Sequence, residues 1–209
     1  MKRDRIIEIG AVKVKNGVIT DRFSEFIDPE RPIPPHITEL TTITDDQVRG
    51  AGNYEYWIPK FIEFIGGNDV PVVGHNAMFD VGFVKNYAGL LGIRFDPTVV
   101  DTLGLSHMLL KNLFRNKLDN IAKELNVVLS THHRAVADAE ATAGIFLAFV
   151  KMLKERDIND LDALYATDEM DAATIKKLHP NAFTLIAKND FGRTNMYRLV
   201  STAHIDYLH

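Results

Sequence analysis

The sequence contains no cysteine. Disulfide bonds and thiolate metal sites are therefore excluded, and any metal would need carboxylate or imidazole ligands. Carboxylates favour Mg²⁺ or Mn²⁺. An excess of positive charge is also absent, since 24 Lys and Arg face 28 Asp and Glu. A net charge of -4 is not typical of a protein that grips a long nucleic-acid duplex, so a nucleic-acid substrate would be held locally.

Long apolar runs are absent as well. No stretch of about 18 apolar residues occurs, and the start of the chain is not followed by the apolar segment of a signal peptide. We therefore expect a cytoplasmic protein with no membrane span. The hydrophobic fraction of 46% is sufficient for a sizeable core, and 209 residues fit one domain with an appendage.

The pattern of apolar residues predicts alternating strands and helices. Residues 5–15 and the segment from Val18 flank Asn16-Gly17, which predicts a β-hairpin. A proline-rich segment, residues 28–40, predicts an extended loop, and Thr44 and Gln47 have the spacing of a helix capping box. Strands are predicted at 70–73 and 99–102, and helices over 54–65, 77–91, 117–125 and 134–156. The expected fold class is α/β, with a mixed sheet flanked by helices.

The composition changes near residue 156. We expect one domain over residues 1–156, an acidic linker over 157–180 and a separate segment over 181–209. In that last segment, 183–187 is typical of a strand and 194–207 of a helix. One strand and one helix do not bury a core, so this segment either docks on the first domain or belongs to a second one.

Two aspartates are candidates for chemistry. Asp80 shares a predicted helix face with Phe83, Val84 and Tyr87, so we expect its carboxylate to be partly buried. A buried carboxylate requires a cation or several hydrogen-bond donors, and either a metal or a capped loop would satisfy it. Asp138 begins a helix rich in alanine and should be partly buried.

His133 lies five residues before Asp138, about 140° away on a helix, and should project from the entering loop. Taken alone, a histidine there would be a surface or capping residue. Beside two carboxylates it suits a general base near an oxygen-ligated divalent ion.

These segments resemble the DnaQ-like, DEDDh class of 3′-5′ exonucleases. HHRAVADAEAT contains the H-x-A-x-x-D signature of the third exonuclease motif, and GHNAMFD resembles the second. LTTITDDQV is similar to the LTGIT segment beside the scissile nucleotide, with Thr42 where Gly is usual. RIIEIGAVKVKNG resembles the second strand, and VVDTL, with Asp101, a later segment. The resemblance implies an RNase H-like fold.

The tail, from Ala182 onward, resembles the segment that follows the exonuclease in PolC-type DNA polymerase III α subunits, where the PHP domain resumes. A first-strand D-x-E-T-T-G motif precedes R-I-I-E-I-G in the family, and no residue here is assigned to it. Glu8 matches the second strand instead and is interpreted as a strand residue facing a neighbour. We therefore expect the first strand to be missing, with instability and weakened or lost activity.

The resemblance implies proofreading by two-metal hydrolysis of a single-stranded DNA 3′ end, with release of 5′ mononucleotides. Asp80 and Asp138 would be metal ligands, and His133 would deprotonate the attacking water. The remaining part of the polymerase polypeptide and the replisome would be partners. The residues that would contact the strand are Thr41, Thr42, Thr44, His75, Asn76 and Phe79. For the last three of these, turn formation and core packing is the alternative interpretation.

Two other functions remain open. A non-catalytic module could bind nucleic acid or a protein partner through the acidic linker and tail, without Mg²⁺ or Mn²⁺. An RNA-processing exonuclease of the same superfamily would share the chemistry, and only the resemblance of the tail to PolC-type polymerases argues against it.

Overall fold

The structure, a computed structural model, describes residues 4–129 and 134–166. The chain divides into two compact units, the first covering residues 1–159 and the second starting at Asp160. Among its described residues, the first unit contains four strands: β1 (Glu8–Lys15), β2 (Val18–Phe26), β3 (Val72–Gly74) and β4 (Val99–Asp101). Its helices are α1 (Pro35–Thr41), α2 (Asp45–Val48), α3 (Tyr54–Ile65), α4 (Met78–Leu90), α5 (Thr102–Leu109), α6 (Leu118–Glu124) and α7 (Ala135–Lys154).

The predicted hairpin is confirmed. Strands β1 and β2 pair antiparallel, with Lys15 opposite Val18 across a two-residue turn. Asn16 and Gly17 both have positive φ, 53° and 80°, as this tight turn requires. Phe23 of β2 packs edge-on against Trp57 of α3, with ring centroids 5.8 Å apart. The hairpin is therefore held against α3 by aromatic contacts.

Strands β3 and β4 form the second pair. They are parallel, and Gly74 and Asp101 lie opposite each other at their carboxyl ends. Helix α4 follows β3 and belongs to the connection between the two strands, as in a parallel crossover. The α/β class is confirmed; in the described residues the strands form one antiparallel and one parallel pair.

Helix α7 is the longest helix of the described chain and packs against β1. Its buried side includes Ala137, Ala141 and Ile145, and the small alanines allow a close approach. At Gly10 of β1 a Cβ atom would overlap the backbone of Ala135 and Val136, so only glycine fits there. The start of α7 therefore lies directly on β1.

Two helices were not predicted. Helix α1 occupies 35–41, where the prolines indicated a loop; Pro35 stands at the first helical position, which tolerates proline because no hydrogen bond is lost there. Helix α5 follows β4 at once and is capped by Asp101, which accepts a hydrogen bond from the backbone N of Leu103. In contrast, α3 has the predicted bounds.

The described part of the second unit is short. It contains α8 (Leu161–Ala166), where the Asp160 side chain accepts a hydrogen bond from the Ala163 N–H at 2.7 Å. The strand predicted at 183–187 and the helix predicted at 194–207 lie outside the described residues, and the domain limits at 156 and 180 stay predictions. Within residues 4–129 and 134–166, none of the helices combines the length and the apolar character that crossing a bilayer demands.

Candidate active site

Asp80 lies in the first turn of α4 and has an exposed side chain. The predicted partial burial holds for the carboxyl group, whose pKa is raised chiefly by desolvation, but not for the residue as a whole. The buried stripe of α4 runs through Val81, Val84 and Ala88, so Asp80 lies at the margin of the stripe rather than within it. Helical spacing correctly placed Asp80 near the apolar residues of α4. Which side of this stripe faces the core depends on the neighbouring elements.

The electrostatic surroundings of Asp80 are unfavourable to its charge. Although much of the side chain is exposed, partial desolvation of its carboxyl group raises the pKa. The negative charges of Asp101 and Asp138 raise it further, against a lowering hydrogen bond from its own backbone amide. The structure therefore brings the carboxyl groups of Asp101 and Asp138 into the electrostatic neighbourhood of Asp80.

Asp138 lies in the first turn of α7 and is half-buried, as predicted. It precedes the buried Ala141 by one helical turn, on the part of α7 that lies against β1. His133 lies outside the described residues, so its place and its role as a base stay predictions. Arg134, the next residue, is the first of this segment that the structure describes.

Glu8 fixes the start of α7. Its side chain is only 7% exposed and accepts hydrogen bonds from Arg134 Nε at 2.8 Å and from the backbone N of Ala135 at 3.0 Å. The Arg134 guanidinium also lies 4.9 Å from the ring centre of Phe26. The interpretation of Glu8 as a strand residue facing a neighbour is confirmed, and that neighbour is the segment carrying the H-x-A-x-x-D signature.

Asp101 fixes the turn before α4 in a similar way. Its carboxylate accepts hydrogen bonds from the backbone N–H groups of Asn76, at 2.9 Å, and Ala77, at 3.1 Å. Together with the bond from Leu103 it satisfies three backbone donors. Asn76 has a φ of 58°, and this left-handed turn directs the chain into the helix that carries Asp80. The motifs assign no role to Asp101, although an aspartate directly after an apolar strand is a sign of a helix cap.

His75 is half-buried, and protein groups contact both of its ring nitrogens. Nδ1 lies 3.0 Å from Thr102 Oγ1, and Nε2 lies 3.0 Å from the carbonyl oxygen of Asn116. Because a carbonyl only accepts, the Nε2–H donates to Asn116. The Thr102 hydroxyl also lies 3.1 Å from the Gly74 carbonyl, to which it donates, so its contact with Nδ1 shares the same hydroxyl group. Burial lowers the pKa of His75, against the raising influence of the Asn116 carbonyl and the charge of Asp101. These contacts favour the alternative interpretation, in which His75 forms the turn.

Two other predicted contact residues have exposed side chains. Asn76 is exposed, and Phe79 is 57% exposed and meets Phe83 edge-on at 5.2 Å between ring centroids. Phe79 stands one residue before Asp80 on the same open turn of α4. A base could therefore reach its ring without displacing any core residue.

The three threonines lie on a separate element. Thr41 ends α1, Thr42 is exposed with a φ of 61°, and Thr44 precedes α2. The left-handed φ of Thr42 explains why glycine is usual at this position. The Thr44 N–H donates to Gln47 Oε1 at 2.8 Å, which confirms the predicted capping box on the glutamine side. Between them, Ile43 is 2% exposed and packs in a cluster that Phe26, the neighbour of Arg134, also touches.

Asp80 and Asp138 are the described candidates for metal ligands. Asp80 and Asp138 offer oxygen donors of the kind that Mg²⁺ and Mn²⁺ prefer, and a cation between them would relieve the repulsion that raises the pKa of Asp80. Over residues 4–129 and 134–166, no group of three or more potential ligands is assembled. The donor chemistry of the two carboxylates is compatible with a divalent cation, which would need further ligands beyond these two.

The sequence profile described as Exonuclease (RNase T) matches residues 1–146. "DNA polymerase III PolC-type" of Clostridium perfringens is 46% identical over 207 residues, and that of Caldanaerobacter subterraneus is 41% identical over 209 residues. Each alignment covers 99% of this chain but only 14% and 15% of the relative's length. This chain therefore spans about one seventh of those relatives.

Solved structures give the same fold. Exonuclease X in complex with 5′-overhanging duplex DNA matches with a TM-score of 0.59 and 26% identity, covering 75% of this chain and 92% of that one. The nuclease domain of 3′hExo, a DEDDh family member bound to rAMP, matches with a TM-score of 0.61, covering 74% of this chain and 83% of that one. At 18% identity the second likeness concerns the fold alone. The RNase H-like DEDDh fold expected from the motifs is confirmed.

Proposed function

This chain belongs to the exonuclease family, and from that premise we propose that it is the 3′-5′ proofreading exonuclease of a PolC-type replicative DNA polymerase. The family implies dependence on divalent metal. The reaction is hydrolysis of the last phosphodiester bond of a single-stranded DNA 3′ end, which releases a 5′ mononucleotide. Identity of 46% and 41% with PolC-type polymerases supports DNA rather than RNA as the substrate.

One observation carries the proposal: Asp80 of the second motif lies within electrostatic reach of Asp138 of the third motif, and partial desolvation together with the charges of Asp101 and Asp138 raises the pKa of Asp80. A divalent cation bound at Asp80 would offset this cost. Asp80 and Asp138 each begin a helix whose first turn is held from outside, by Asp101 for α4 and by Glu8 for α7. The two carboxylates are thus held in position before a ligand arrives.

Divalent cations, two Mg²⁺ or Mn²⁺ in the proposal, would supply charge neutralisation at the scissile phosphate and a lowered pKa of water. Asp80 and Asp138 would hold them through carboxylate oxygens. His133 would accept the proton of the attacking water, which suits an imidazole with a pKa near neutrality. Phe79 would stack on a base near the 3′ end, and the turn at Asn76 and the loop of Thr41, Thr42 and Thr44 would border the terminal nucleotide.

The partners follow from the same proposal. The chain would act in the cytoplasm on the primer strand, beside the polymerase segments that occur in the longer PolC-type relatives. The sequence of residues 157–209 would then connect the exonuclease to the rest of such a polypeptide and to the replisome.

The test is a cleavage assay with a 5′-labelled single-stranded DNA oligonucleotide in Mg²⁺, in Mn²⁺ and in EDTA. Two proteins are compared: this chain, and a fusion in which an Asp-x-Glu strand of the family precedes Met1. We expect a metal-dependent ladder shortened from the 3′ end, lost in Asp138→Asn and kept in Asp69→Asn, an exposed acid on a loop outside the site. Cleavage by neither protein, or equal cleavage by Asp138→Asn, contradicts the proposal; faster cleavage of an RNA oligonucleotide contradicts its choice of substrate.

A further inference from the structure

The loop between α5 and α6 carries an aromatic side chain that the fold does not use. Phe114 is 93% exposed, more than any other exposed large hydrophobic residue of the described chain. Its neighbour Leu113 is half-buried, so the chain turns Phe114 outward while keeping the adjacent apolar side chain partly covered. A fully exposed phenylalanine does not stabilise this loop by burial.

The same loop is positively charged. Lys111, Arg115 and Lys117 surround Phe114, all three are exposed, and residues 110–118 contain no acidic residue. The whole chain has a net charge of -4, so three cations within seven residues are a local excess. Cations interleaved with an exposed aromatic are typical of surfaces that bind single-stranded nucleic acid, where the ring stacks on a base and the cations contact phosphates.

The loop is held in place rather than loosely attached. The Asn116 side chain donates to Ser106 Oγ at 2.8 Å, and Ser106 is fully buried in α5. Asn120 Nδ2 donates to the Arg115 carbonyl at 3.0 Å. On the other side of Phe114, the Leu113 N–H donates to the Leu110 carbonyl at 2.9 Å. Hydrogen bonds on both sides of Phe114 therefore fix the loop at the end of α5.

The loop also lies beside the candidate active site. The Asn116 carbonyl accepts a hydrogen bond from His75 Nε2 at 3.0 Å, and His75 belongs to the turn that leads into Asp80. Phe114 is two residues from Asn116, which is at most about 7 Å of extended chain. Through this hydrogen bond the loop is connected directly to the turn that precedes α4.

We propose that residues 111–117, here called the basic loop, form a second contact surface for the single-stranded substrate, with Phe114 stacking on a base and Lys111, Arg115 and Lys117 contacting phosphates. The inference rests on the proposed function, because the basic loop would contact the same single-stranded substrate that enters the candidate active site. A protein partner is less suited to the loop, because one phenylalanine buries about 150–250 Å². A stable protein interface buries about 800 Å² on each side.

Binding tests the stacking residue. The full chain is titrated into fluorescein-labelled (dT)12 in Ca²⁺, and the dissociation constant is measured by anisotropy. Phe114→Ala should weaken binding at least about fivefold, and Phe114→Tyr should restore it, since tyrosine also stacks. Leu90→Ala is the matched control: Leu90 is 66% exposed but lies ten residues, about 15 Å, along α4 from Asp80. Unchanged binding by Phe114→Ala, at an unchanged melting temperature, overturns the proposal.

Salt dependence tests the cations. For single strands, log K falls with log [salt] by about 0.7 per phosphate contact, so K111Q/R115Q/K117Q should lower the slope by about 2. K15Q/K151Q/K154Q removes three exposed lysines elsewhere and should leave the slope nearly unchanged. An equal fall in both triple variants overturns the assignment of these contacts to the basic loop.

Binding of a blunt DNA duplex tests whether the basic loop prefers single-stranded to double-stranded DNA. Because the bases of a 12-base-pair duplex are already stacked, Phe114→Ala should not weaken duplex binding, and a loss confined to the duplex overturns the proposal. Loss of single-strand binding in Phe114→Ala without any cleavage by the parent chain or its fusion would support the basic loop and contradict the proposed function. Cleavage with no effect of Phe114→Ala would do the reverse.

Discussion

The first unit contains two kinds of carboxylate that differ only in their surroundings. Glu8 and Asp101 accept hydrogen bonds from backbone N–H groups at the starts of α7 and α4, so their charges are satisfied by the fold. Asp80 and Asp138 stand on those same helices, and at Asp80 the surroundings oppose the charge. Glu8 and Asp101, the anchoring carboxylates, thus hold the starts of the two helices that carry Asp80 and Asp138, the proposed metal ligands.

The largest expected effect is on exonuclease activity and concerns Asp80 and Asp138, the proposed metal ligands. Asp80→Asn or Asp138→Asn should lower metal-dependent exonuclease activity at least about 100-fold, because an amide is a poor ligand for a divalent cation and several kcal/mol of charge stabilisation are lost. The measurement is the initial rate at which 5′ mononucleotides are released from the 3′ end, in the fusion that carries the Asp-x-Glu strand. The control variant Asp69→Asn should keep the rate of the parent. If Asp138→Asn also keeps a rate within tenfold of the parent, Asp138 is not a metal ligand.

The anchoring carboxylates should matter for stability first. Glu8→Ala leaves Arg134 and the Ala135 N–H without their acceptor, and the free energy of unfolding should fall by about 2 kcal/mol. Glu8→Gln keeps one acceptor oxygen and should lose less. Urea denaturation measures both variants, with Glu63→Ala, an exposed acid of α3, as the control. If Glu8→Ala unfolds at the parent's urea concentration, Glu8 does not anchor α7.

When no divalent ion is present, Asp101→Ala should lower the free energy of unfolding and Asp80→Asn should raise it. Asp101→Ala frees three backbone donors and should cost about 1–2 kcal/mol, as the loss of a helix cap does. Asp80→Asn removes a carboxyl group whose pKa is raised, so it should stabilise the chain at pH 7. The gain should be less than about 1 kcal/mol because the side chain is exposed.

The pH dependence of stability shows whether the charged Asp80 carboxylate stabilises or destabilises the fold. The folded state holds its proton more tightly than the unfolded state, so stability falls as the pH rises from the ordinary value of 3.8 through the raised folded pKa. The penalty is then fully present at neutral pH, and Asp80→Asn should remove it. Urea titrations at pH 4 and pH 7 in EDTA measure the difference. Mg²⁺ should then raise the melting temperature of the parent more than that of the variant; an Asp80→Asn variant less stable than the parent at pH 7 in EDTA contradicts this account.

The smallest effect concerns His75. Its folded pKa lies below 6.5, so the unfolded chain binds more protons in the window just below 6.5, and stability is lost as the pH falls through that window. His75→Gln should reduce the stability difference between pH 5.5 and pH 7.5, by less than about 1.4 kcal/mol. His36→Gln, an exposed histidine, controls for the other histidines of the chain. Identical pH profiles of parent and His75→Gln would remove this explanation.

Local patterns in the chain were sufficient for much of the secondary structure and for the family. Asn16-Gly17 indicated the hairpin because few other residue pairs adopt positive φ twice in succession. The bounds of α3 followed from its period and from Asn53, whose side chain accepts hydrogen bonds from two amides of the first turn. Helix α1 was missed because prolines favour a loop unless one of them stands at the first helical position, which the sequence does not indicate alone.

The site divides in the same way. The sequence alone determined that Asp80, His133 and Asp138 belong to exonuclease motifs, because those signatures are short and local. Only the tertiary structure decided that Asp80 is exposed, that Glu8 and Asp101 hold the starts of the two helices, and that the basic loop lies beside His75. Glu8 and Ala135 are separated by 127 residues, and Asn76 and Asp101 by 25. No local period encodes such contacts, since they depend on which faces of the strands and helices meet.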